Sequence, residues 1–309
     1  CAACRELVAR AAGRQGICHG RYLEVEVEIM SSIPAKDWKS VWELLTSGIR
    51  DYVRKNGFTD VVLGLSGGMD SALVAALAVD ALGKDHVHGV MMPSPWSSEG
   101  SITDSEALAT NLGMETFAVP ISPMMEAFEK ALAPAFAGRE RDVTEENIQS
   151  RIRGVVMMSF SNKFHWMLLA TGNKSEVAAG YCTLYGDTCG GLAPIADLYK
   201  TEVYQLAQWF NEREGMCAIP QNIFDKAPSA ELRPGQKDQD SLPEYDMLDS
   251  ILHALIEESK RAEDIELPGV TPEDVNRVQS LMRRSAFKRL QLPPLLPVGN
   301  HAFGVHVHM

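Results

Sequence analysis

The feature that most constrains the fold is a glycine-rich turn between a short apolar run and a run of small apolar residues. Residues 61–65 read VVLGL and predict a buried parallel strand, and residues 71–82 predict a helix. The turn between them is Ser66-Gly67-Gly68-Met69-Asp70-Ser71. In such a strand–turn–helix unit, free backbone N–H groups and the positive end of the helix point at one place, which favours a bound anion. The two glycines let the backbone approach that anion closely.

Asp70 is unexpected in an anion-binding turn, because its carboxylate would repel a phosphate. A Mg²⁺ ion between the two groups would remove the conflict. The turn also lacks the Lys that follows the second glycine in the P-loop of kinases and GTPases. It resembles instead the SGGxDS loop of the ATP pyrophosphatase superfamily, which implies attack at the α-phosphate of ATP with pyrophosphate held in the turn. The alternative interpretation is a tight strand–helix turn with a Ser/Asp cap.

Strands and helices alternate around this unit. Further strands are predicted at residues 87–92, 115–119 and 166–170, and helices at residues 38–55, 103–111, 123–136 and 142–163. This order predicts an α/β fold with a parallel sheet flanked by helices on both faces. Ligands of such sheets bind at the carboxyl ends of the strands, so the turns after Leu65, Met92 and Ala170 are expected to line the site. The last part of the chain is predicted to be helical, at residues 201–212, 245–262 and 271 onward.

The composition limits the classes of partner. The 309-residue chain has 41 acidic and 29 basic residues and a net charge of −12, which argues against a general nucleic-acid surface. No apolar run approaches the ~20 residues of a membrane helix, and the N-terminus lacks the pattern of a secretory signal. A cytoplasmic protein with no nucleic-acid or membrane partner is therefore expected. Residues 1–35 stay unassigned, residues 36–303 are expected to form one domain, and residues 304–309 a tail.

A second polar segment follows the fourth predicted strand and reads Thr171-Gly172-Asn173-Lys174-Ser175-Glu176. It is expected at the same edge of the sheet as the glycine-rich turn, where the carboxyl ends of parallel strands meet. Glu176 is therefore a candidate second Mg²⁺ ligand beside Asp70. The alternative is a simple helix start, with Ser175 as the cap and Glu176 near the positive helix end.

The longer pattern resembles the NAD synthetase family. The matching segments occur in the family's order, between about residue 42 and residue 303, and comprise residues 169–176, 180–187, 190–195, 200–201, 228–236 and 240–243. The resemblance implies a Rossmann-like adenine-nucleotide hydrolase fold with a helical C-terminal part. It also implies a Mg²⁺-dependent ligase that uses ATP to adenylate the nicotinate carboxylate of deamido-NAD, releasing pyrophosphate. Ammonia then displaces AMP to give NAD, and family members are homodimers.

The resemblance assigns roles to individual residues. Ser66, Asp70 and Lys200 would be catalytic, and Asp70 and Glu176 would be the Mg²⁺ ligands. The residues implied to contact ATP are Gly64, Leu65, Ser66, Gly67, Gly68, Met69, Asp70, Ser71, Thr171, Lys200 and Ser229. Those implied to contact deamido-NAD are Arg151, Tyr185, Asp187 and Lys288. The chain departs from the usual pattern where Ser229 stands in place of Thr and where Phe287 replaces the His before Lys288.

Two further departures concern the nitrogen donor. Ammonia-using members carry a Lys and an Asp where this chain has Leu184 and Gly191, and the chain is closer in pattern to the glutamine-dependent branch. There the synthetase follows an amidase domain with a Glu-Lys-Cys triad, and residues 1–35 are too short to form that domain. The chain is therefore expected to use free ammonia, to receive it from a separate glutaminase subunit or domain, or to be a fragment of a two-domain enzyme.

Other functions fit the same turn. GMP synthetase, argininosuccinate synthetase and the tRNA-thiolating enzymes share SGGxDS and differ in the acceptor. The thiolating enzymes typically need clustered cysteines and a basic RNA surface, which this acidic chain lacks. A non-catalytic nucleotide-binding protein is the remaining alternative, and the pairing of Asp70 with Glu176 argues against it. Mg²⁺-dependent release of AMP and pyrophosphate, and the acceptor that supports it, would separate these functions.

Overall fold

A parallel sheet organises the computed structural model, which describes residues 33–34 and 36–304. Its strands are β1 (Val61–Leu65), β2 (Val87–Met91), β3 (Glu115–Ala118) and β4 (Met167–Leu168). Within the described residues the strand order is β3-β2-β1-β4, and all pairs are parallel. Val61 lies opposite Val87 and Met167, so the strands run in step towards one edge. Bridges from Leu169 to Leu192 and from Ala193 to Leu295 continue the parallel pairing beyond β4.

Helices connect the strands and make up most of the remaining described chain. Their bounds are α1 (Trp38–Lys55), α2 (Met69–Leu82), α3 (Glu99–Leu112), α4 (Ser122–Leu132), α5 (Val143–Phe164), α6 (Lys174–Ala179), α7 (Lys200–Glu214), α8 (Gln221–Asp225), α9 (Tyr245–Ile256), α10 (Pro272–Arg284) and α11 (Ala286–Arg289). Short 3₁₀ turns occur at Lys84–His86, Asp238–Asp240 and Ala262–Asp264.

The residues of β1 alternate between two hydrophobic layers, as the two-residue period of a strand requires. Val61, Leu63 and Leu65 pack in a layer with α1, α2 and α7, whereas Val62 packs in a layer with α5. Helix α2 is apolar on nearly all sides and almost fully buried, because it packs between the sheet, α1 and α7. The predicted parallel sheet with helices on both faces is confirmed.

Four predicted boundaries are wrong, the first being the end of α4, which lies at Leu132 rather than at residue 136. Helix α3 begins at Glu99, because Ser98 caps it by accepting a hydrogen bond from Ser101 N at 3.1 Å. The predicted start at Thr103 lies inside the helix, where the hydroxyl donates to Gly100 O at 3.0 Å. Strand β4 has only two residues, and α9 ends at Ile256 rather than at residue 262.

The C-terminal part is helical, as predicted. Helices α6, α9 and α10 share a second hydrophobic cluster that includes Ala178, Leu248, Ile251 and Val278. This cluster supports α6, which carries Glu176. Residues 1–32, 35 and 305–309 lie outside the described residues, so the domain bounds predicted there stay predictions. Over the described part of the chain, no helix is both long and apolar enough to cross a membrane.

Candidate active site

A cleft of about 660 Å³ opens at the carboxyl ends of β1, β2 and β4. The glycine-rich turn after Leu65, the turn after Met92 and the segment after Ala170 all contribute to its lining. One face of α5 and parts of the segment 226–241 complete the walls. The cleft therefore lies where the order of strands and helices in the sequence predicts a ligand site.

The glycine-rich turn is held in shape by its own two serines. Ser66 N donates to Ser71 Oγ at 3.3 Å, Gly68 N donates to Ser66 Oγ at 3.2 Å, and Ser71 Oγ donates to Gly68 O at 3.0 Å. Gly67 has φ +71°, and a Cβ atom there would overlap the backbone of Ser101, so the position requires glycine. Gly68 offers no side chain to cap α2, and the first N–H groups of the helix are left for an anion.

An ammonium group joins two carboxylates beside this turn. Asp70, in the first turn of α2, contacts Nζ of Lys200, the first residue of α7, and the same Nζ lies 3.4 Å from Oε1 of Glu176. Only 5% of the Lys200 side chain is exposed, whereas those of Asp70 and Glu176 are 17% and 18% exposed. Asn173 braces the pair, because its Nδ2 donates to Asp70 Oδ1 and its Oδ1 accepts from Glu176 N, each at 3.0 Å.

Asn173 is also the cap of α6, so the alternative in which Ser175 is the cap is wrong. The Ser175 hydroxyl donates to Asp249 and accepts a hydrogen bond from Lys200 N at 2.8 Å. Ser175 therefore ties the start of α6 to the start of α7. This connection fixes Glu176 and Lys200 relative to each other.

The cluster is short of positive charge. Burial raises the pKa of Glu176 to about 8, and the negative charge of Asp70 adds to the shift, while Lys200 opposes it. Burial alone would lower the pKa of Lys200, but the charges of Asp70 and Glu176 hold it above its usual value. One buried ammonium group thus serves two acids, and a further cation would relieve their repulsion.

The donors present fit Mg²⁺. This ion prefers carboxylate oxygens and usually keeps water and phosphate oxygens as its other ligands. Asp70 and Glu176 both line the cleft. In residues 33–34 and 36–304, no group of three His, Cys, Asp or Glu side chains is placed to hold a metal. A Mg²⁺ ion here would therefore rely on this acidic pair and on the oxygens of a bound nucleotide.

The sequence-predicted site residues divide into those that line the cleft and those that do not. The lining group is Gly64, Leu65, Ser66, Gly68, Met69, Asp70, Thr171, Glu176, Asp187, Lys200, Ser229 and Lys288. Ser229 Oγ donates to Gln236 O at 2.7 Å, and Lys288 Nζ donates to Gly180 O at 2.7 Å. Burial raises the pKa of Asp187, although hydrogen bonds from neighbouring groups oppose the shift. Gly67 and Ser71 shape the turn without lining the cleft.

Arg151 and Tyr185 lie apart from the cleft lining. Arg151 is exposed on α5, and its Nε donates to Leu184 O at 3.2 Å. Tyr185 is 64% exposed, and its hydroxyl donates to Gln291 Oε1 at 2.7 Å. The structure brings these two side chains to one surface region but not to the other predicted site residues. Their assignment to the dinucleotide site stays a prediction.

Arg153 is a cleft residue that the sequence reasoning missed. Its Nε donates to Met92 O at 3.2 Å, and burial lowers the pKa of its guanidinium to about 10, with the charge of Glu231 opposing the shift. The signal for it was the helical period. The residues of α5 that line the cleft recur at intervals of three and four and include Ser150, Arg153, Gly154 and Met157. Arg153 fits this spacing, whereas Arg151 does not.

Lys226 and Glu231 were also missed, and they fasten the segment 226–241 over the cleft. Glu231 Oε1 accepts from Lys226 Nζ at 2.8 Å, from Ser101 Oγ at 2.7 Å and from Ser98 Oγ at 2.9 Å. Ser98 and Ser101 lie 133 and 130 residues from Glu231 along the chain, so no local pattern predicts their contact with it. Because Ser101 also packs against Gly67, the segment and the glycine-rich turn are held by the same helix start.

Fold and site together define an α/β protein built around a pyrophosphatase-type turn with an acidic pair at its edge. Residues 41–293 match the family model described as NAD synthase, and the chain belongs to that family. The family resemblance predicted from the sequence motifs is thereby confirmed.

The chain is similar to two kinds of relative within this family. It is 50% identical over 276 residues to the glutamine-dependent NAD(+) synthetase of Thermotoga maritima, across 89% of this chain and 48% of the relative. The solved glutamine-dependent NAD+ synthetase of Acinetobacter baumannii, in complex with ADP, is 40% identical with a TM-score of 0.61, over 87% of this chain and 49% of that one. The NH3-dependent NAD synthetase of Campylobacter jejuni is 30% identical with a TM-score of 0.65, over 82% and 96%. The chain thus spans about half the length of the curated relatives it matches. The expected Rossmann-like adenine-nucleotide hydrolase fold is confirmed by these structures.

Proposed function

We propose that the chain catalyses the ATP-dependent amidation of deamido-NAD to NAD, with ammonia as nitrogen donor and AMP and pyrophosphate as by-products. The observation that carries the proposal is the meeting of three features at one cleft: the uncapped start of α2, the pair of Asp70 and Glu176, and the buried Lys200. An anion-binding turn alone suits many nucleotide-binding proteins. The charged cluster beside it suits a reaction in which charge builds on a departing pyrophosphate.

The proposed chemistry begins at a poor electrophile, the nicotinate carboxylate, which adenylation supplies with a good leaving group. The turn at residues 66–71 would hold the pyrophosphate of ATP, with backbone N–H groups and the helix start neutralising its charge as the bond to the α-phosphate breaks. Lys200 adds a positive charge held in place by its two acids. When bound at Asp70 and Glu176, Mg²⁺ would supply further neutralisation. Most of the rate enhancement then comes from positioning and electrostatics.

The finer residue roles belong to the same proposal. Thr171 and Ser229 would contact ATP, and Asp187 and Lys288 would contact deamido-NAD. Their place in the cleft lining supports these roles. A cytoplasmic location is also part of the proposal.

A homodimer belongs to the proposal as well. Helices α4 and α5 expose large apolar side chains that one chain leaves uncovered, among them Phe128, Val155, Met158 and Phe164. Apolar side chains clustered on one surface commonly mark a protein–protein contact. Arg151 lies on α5 beside Val155, so a contact there would place it at the subunit interface.

The nitrogen donor is proposed to be ammonia itself, delivered free or by a glutaminase domain or subunit. The support is that one structural relative is named NH3-dependent, while the curated relatives are named glutamine-dependent and are about twice as long as the match. The described residues of this chain correspond to the part that both kinds share.

The test is NAD formation by the purified chain with ATP, Mg²⁺ and deamido-NAD, supplied with ammonium or with glutamine. We expect NAD with ammonium, equimolar AMP, and none of either product when Asp70→Asn replaces the wild type. NAD with glutamine would reveal an amidase activity in the preparation. AMP release with another acceptor but none with deamido-NAD would contradict the proposal and favour a different pyrophosphatase-loop ligase.

A further inference from the structure

The start of helix α7 is capped by groups from two other helices. A helix leaves its first backbone N–H groups without partners inside the helix, and Tyr199, which precedes Lys200, gives α7 no side-chain cap. Instead, Lys200 N donates to Ser175 Oγ in α6 at 2.8 Å. Thr201 N donates to Asp249 Oδ2 in α9 at 2.9 Å. The first residues of α7 are therefore held in place from outside their own helix.

Asp249 connects α6 and α7 through a single carboxylate. The residue is fully buried, with 0% of its surface exposed. Its Oδ1 accepts a hydrogen bond from the Ser175 hydroxyl. Its Oδ2 accepts from Thr201 Oγ1 as well as from Thr201 N, each at 2.9 Å. Both oxygens are thus occupied by donors from the starts of the two helices.

These contacts call for a carboxylate rather than an amide. The Ser175 hydroxyl accepts from Lys200 N, so its single proton is available to Asp249. A carboxylate offers one oxygen to Ser175 and the other to Thr201. The side chain of Asn has only one oxygen, and its NH₂ group donates. An amide would therefore have to break or reverse one of the hydrogen bonds.

The buried charge is held by neutral groups. Burial raises the pKa of Asp249 to about 7, the hydrogen bonds from Ser175 and Thr201 oppose the shift, and the charge of Glu202 adds to it. The groups that contact the carboxylate are hydroxyl and N–H donors rather than a basic side chain. Burying a carboxylate without a cation is costly, so the position calls for an explanation beyond packing.

Each partner of Asp249 is next to a site residue in the chain. Ser175 precedes Glu176, and Thr201 follows Lys200. Asp249 itself does not line the cleft, so any effect on the reaction passes through these neighbours. Lys200 Nζ lies 3.4 Å from Glu176 Oε1, a distance that a small shift of α7 against α6 would change. A misplacement of about 1 Å at a reaction site can cost about 10²-fold in rate.

We propose that Asp249 is a positioning residue for the amidation, and that it acts through Ser175 and Thr201 to hold Glu176 and Lys200 in place at the departing pyrophosphate. This inference rests on the proposed function, which supplies the reaction that the placement serves. The competing account makes Asp249 a cap that stabilises the fold and does nothing more. The two accounts differ in the rate of the molecules that stay folded.

The test measures kcat and the KM values for ATP and deamido-NAD in Asp249→Asn, with urea unfolding in the same buffer to give the folded fraction. We expect kcat per folded molecule to fall about 10- to 100-fold, because the groups that meet the charge of the transition state are displaced. Both KM values should stay within about 3-fold, since Asp249 lies outside the cleft lining.

Thr201→Val tests the proposal even where Asp249→Asn fails to fold. It removes only the hydroxyl that donates to Asp249 and keeps the shape of the side chain and the backbone N–H. We expect kcat to fall about 2- to 10-fold, the usual effect of losing one hydrogen bond. Thr201→Ser keeps the hydroxyl and should restore the rate.

Asp197→Asn is the matched control, because Asp197 is a buried acid that also accepts from backbone N–H groups, those of Val298 and Gly299. It should lose stability with unchanged kcat per folded molecule. A wild-type kcat per folded molecule in Thr201→Val and in any folded Asp249→Asn would overturn the proposal, as would raised KM values with an unchanged kcat. Those outcomes leave NAD formation by the wild type intact. No NAD from the wild type with ammonium would overturn the proposed function itself, and this role with it.

Discussion

Two lysines are buried in this molecule with similar surroundings, and their comparison separates a structural ion pair from a functional one. Lys174 in α6 has 1% of its side chain exposed, and Lys200 in α7 has 5%. Each contacts two carboxylates. For Lys174 these are Asp197 Oδ1 at 2.7 Å and Glu257 Oε1 at 2.5 Å. Burial and ion pairing alone would not tell the two apart.

The acids around Lys174 are completed by other protein groups. Oδ2 of Asp197 accepts hydrogen bonds from the backbone N–H groups of Val298 and Gly299, each at 2.7 Å. Burial would raise the pKa of Glu257, but its hydrogen bond and ion pair with Lys174 hold it below the usual value. None of these residues lines the cleft. The network joins α6 to the segment around residue 298, and backbone N–H groups complete the Asp197 oxygen that Lys174 does not reach.

Of the two acids around Lys200, both oxygens of Asp70 accept a hydrogen bond, whereas Glu176 is not completed. Among the described contacts, the Glu176 carboxylate meets one donor, Lys200, and its pKa is raised where that of Glu257 is lowered. Asp70 and Glu176 also line the cleft. The difference teaches that a buried lysine is functional when its partners keep open oxygens that face a ligand. Four predictions test this comparison.

The largest effect is expected from Asp70→Asn. Turnover should fall by at least about 10²–10³-fold, because the variant removes an electrostatic contact made as pyrophosphate leaves. The fold should survive, since Asn173 can still donate to the remaining side-chain oxygen. Steady-state NAD formation and a thermal melt measure the two effects. The counterpart Asp197→Asn should do the reverse, losing stability while the folded fraction keeps its turnover. A near wild-type rate for Asp70→Asn would contradict the distinction between a structural ion pair at Lys174 and a functional one at Lys200.

Lys174→Met should cost the most stability. It leaves the fully buried Asp197 carboxylate without its cation, which typically costs about 3–5 kcal/mol. Lys200→Met should abolish turnover but cost less stability, because Glu176 can take up a proton and Asp70 keeps its hydrogen bond from Asn173. Urea unfolding of both variants in the same buffer gives the comparison. Equal losses of unfolding free energy would mean that the two clusters are not different in kind.

Glu176→Gln should change the pH dependence of stability. In the unfolded chain the pKa of Glu176 is near its ordinary value of 4.5, but burial in the fold raises it to about 8. Between these pH values the unfolded state has released a proton that the native state keeps, so stability falls as pH rises. Gln does not ionise, so the variant should resemble the wild type at low pH. At pH 9 without divalent cations it should be about 1–3 kcal/mol more stable.

The measurement is urea unfolding with a chelator at pH 5 and pH 9. Glu257→Gln is the matched control: its pKa is lowered in the fold, so losing its charge should destabilise the protein at both pH values. A constant difference between Glu176→Gln and the wild type across this range would contradict the raised pKa. Adding Mg²⁺ at pH 9 should stabilise the wild type more than Glu176→Gln.

Some features of this molecule are predictable from the sequence and others are not. The difference lies in how far apart along the chain the interacting residues are. The sheet and the turn are local: VVLGL must be buried, and SGGMDS must turn, whatever the rest of the chain does. The partners of Lys174 are 23 and 83 residues away, and Asp238 and Tyr181 meet the cleft from separate segments. No periodicity encodes such meetings. The helix cap at Asn173 was within reach, because Asn is a strong cap and precedes the first helical residue.

The smallest effect is expected from two arginines of α5, one that lines the cleft and one that does not. Their comparison tests whether lining the cleft separates functional arginines from other arginines, as it separates Lys200 from Lys174. Arg153 lines the cleft, so Arg153→Ala should raise the KM of a nucleotide substrate about 10-fold, with Arg153→Lys restoring part of the loss. Arg151 is exposed, so Arg151→Ala should leave the KM for ATP within about 2-fold. If the family role of Arg151 holds, the KM for deamido-NAD should rise in that variant. The KM values for both substrates, measured in parallel for the three variants, decide the matter. A rise in the KM for deamido-NAD in Arg151→Ala, with no rise in Arg153→Ala, would show that the dinucleotide is bound mainly by groups outside this cleft. The cleft lining of a single chain would then be a poor guide to the substrate-binding residues.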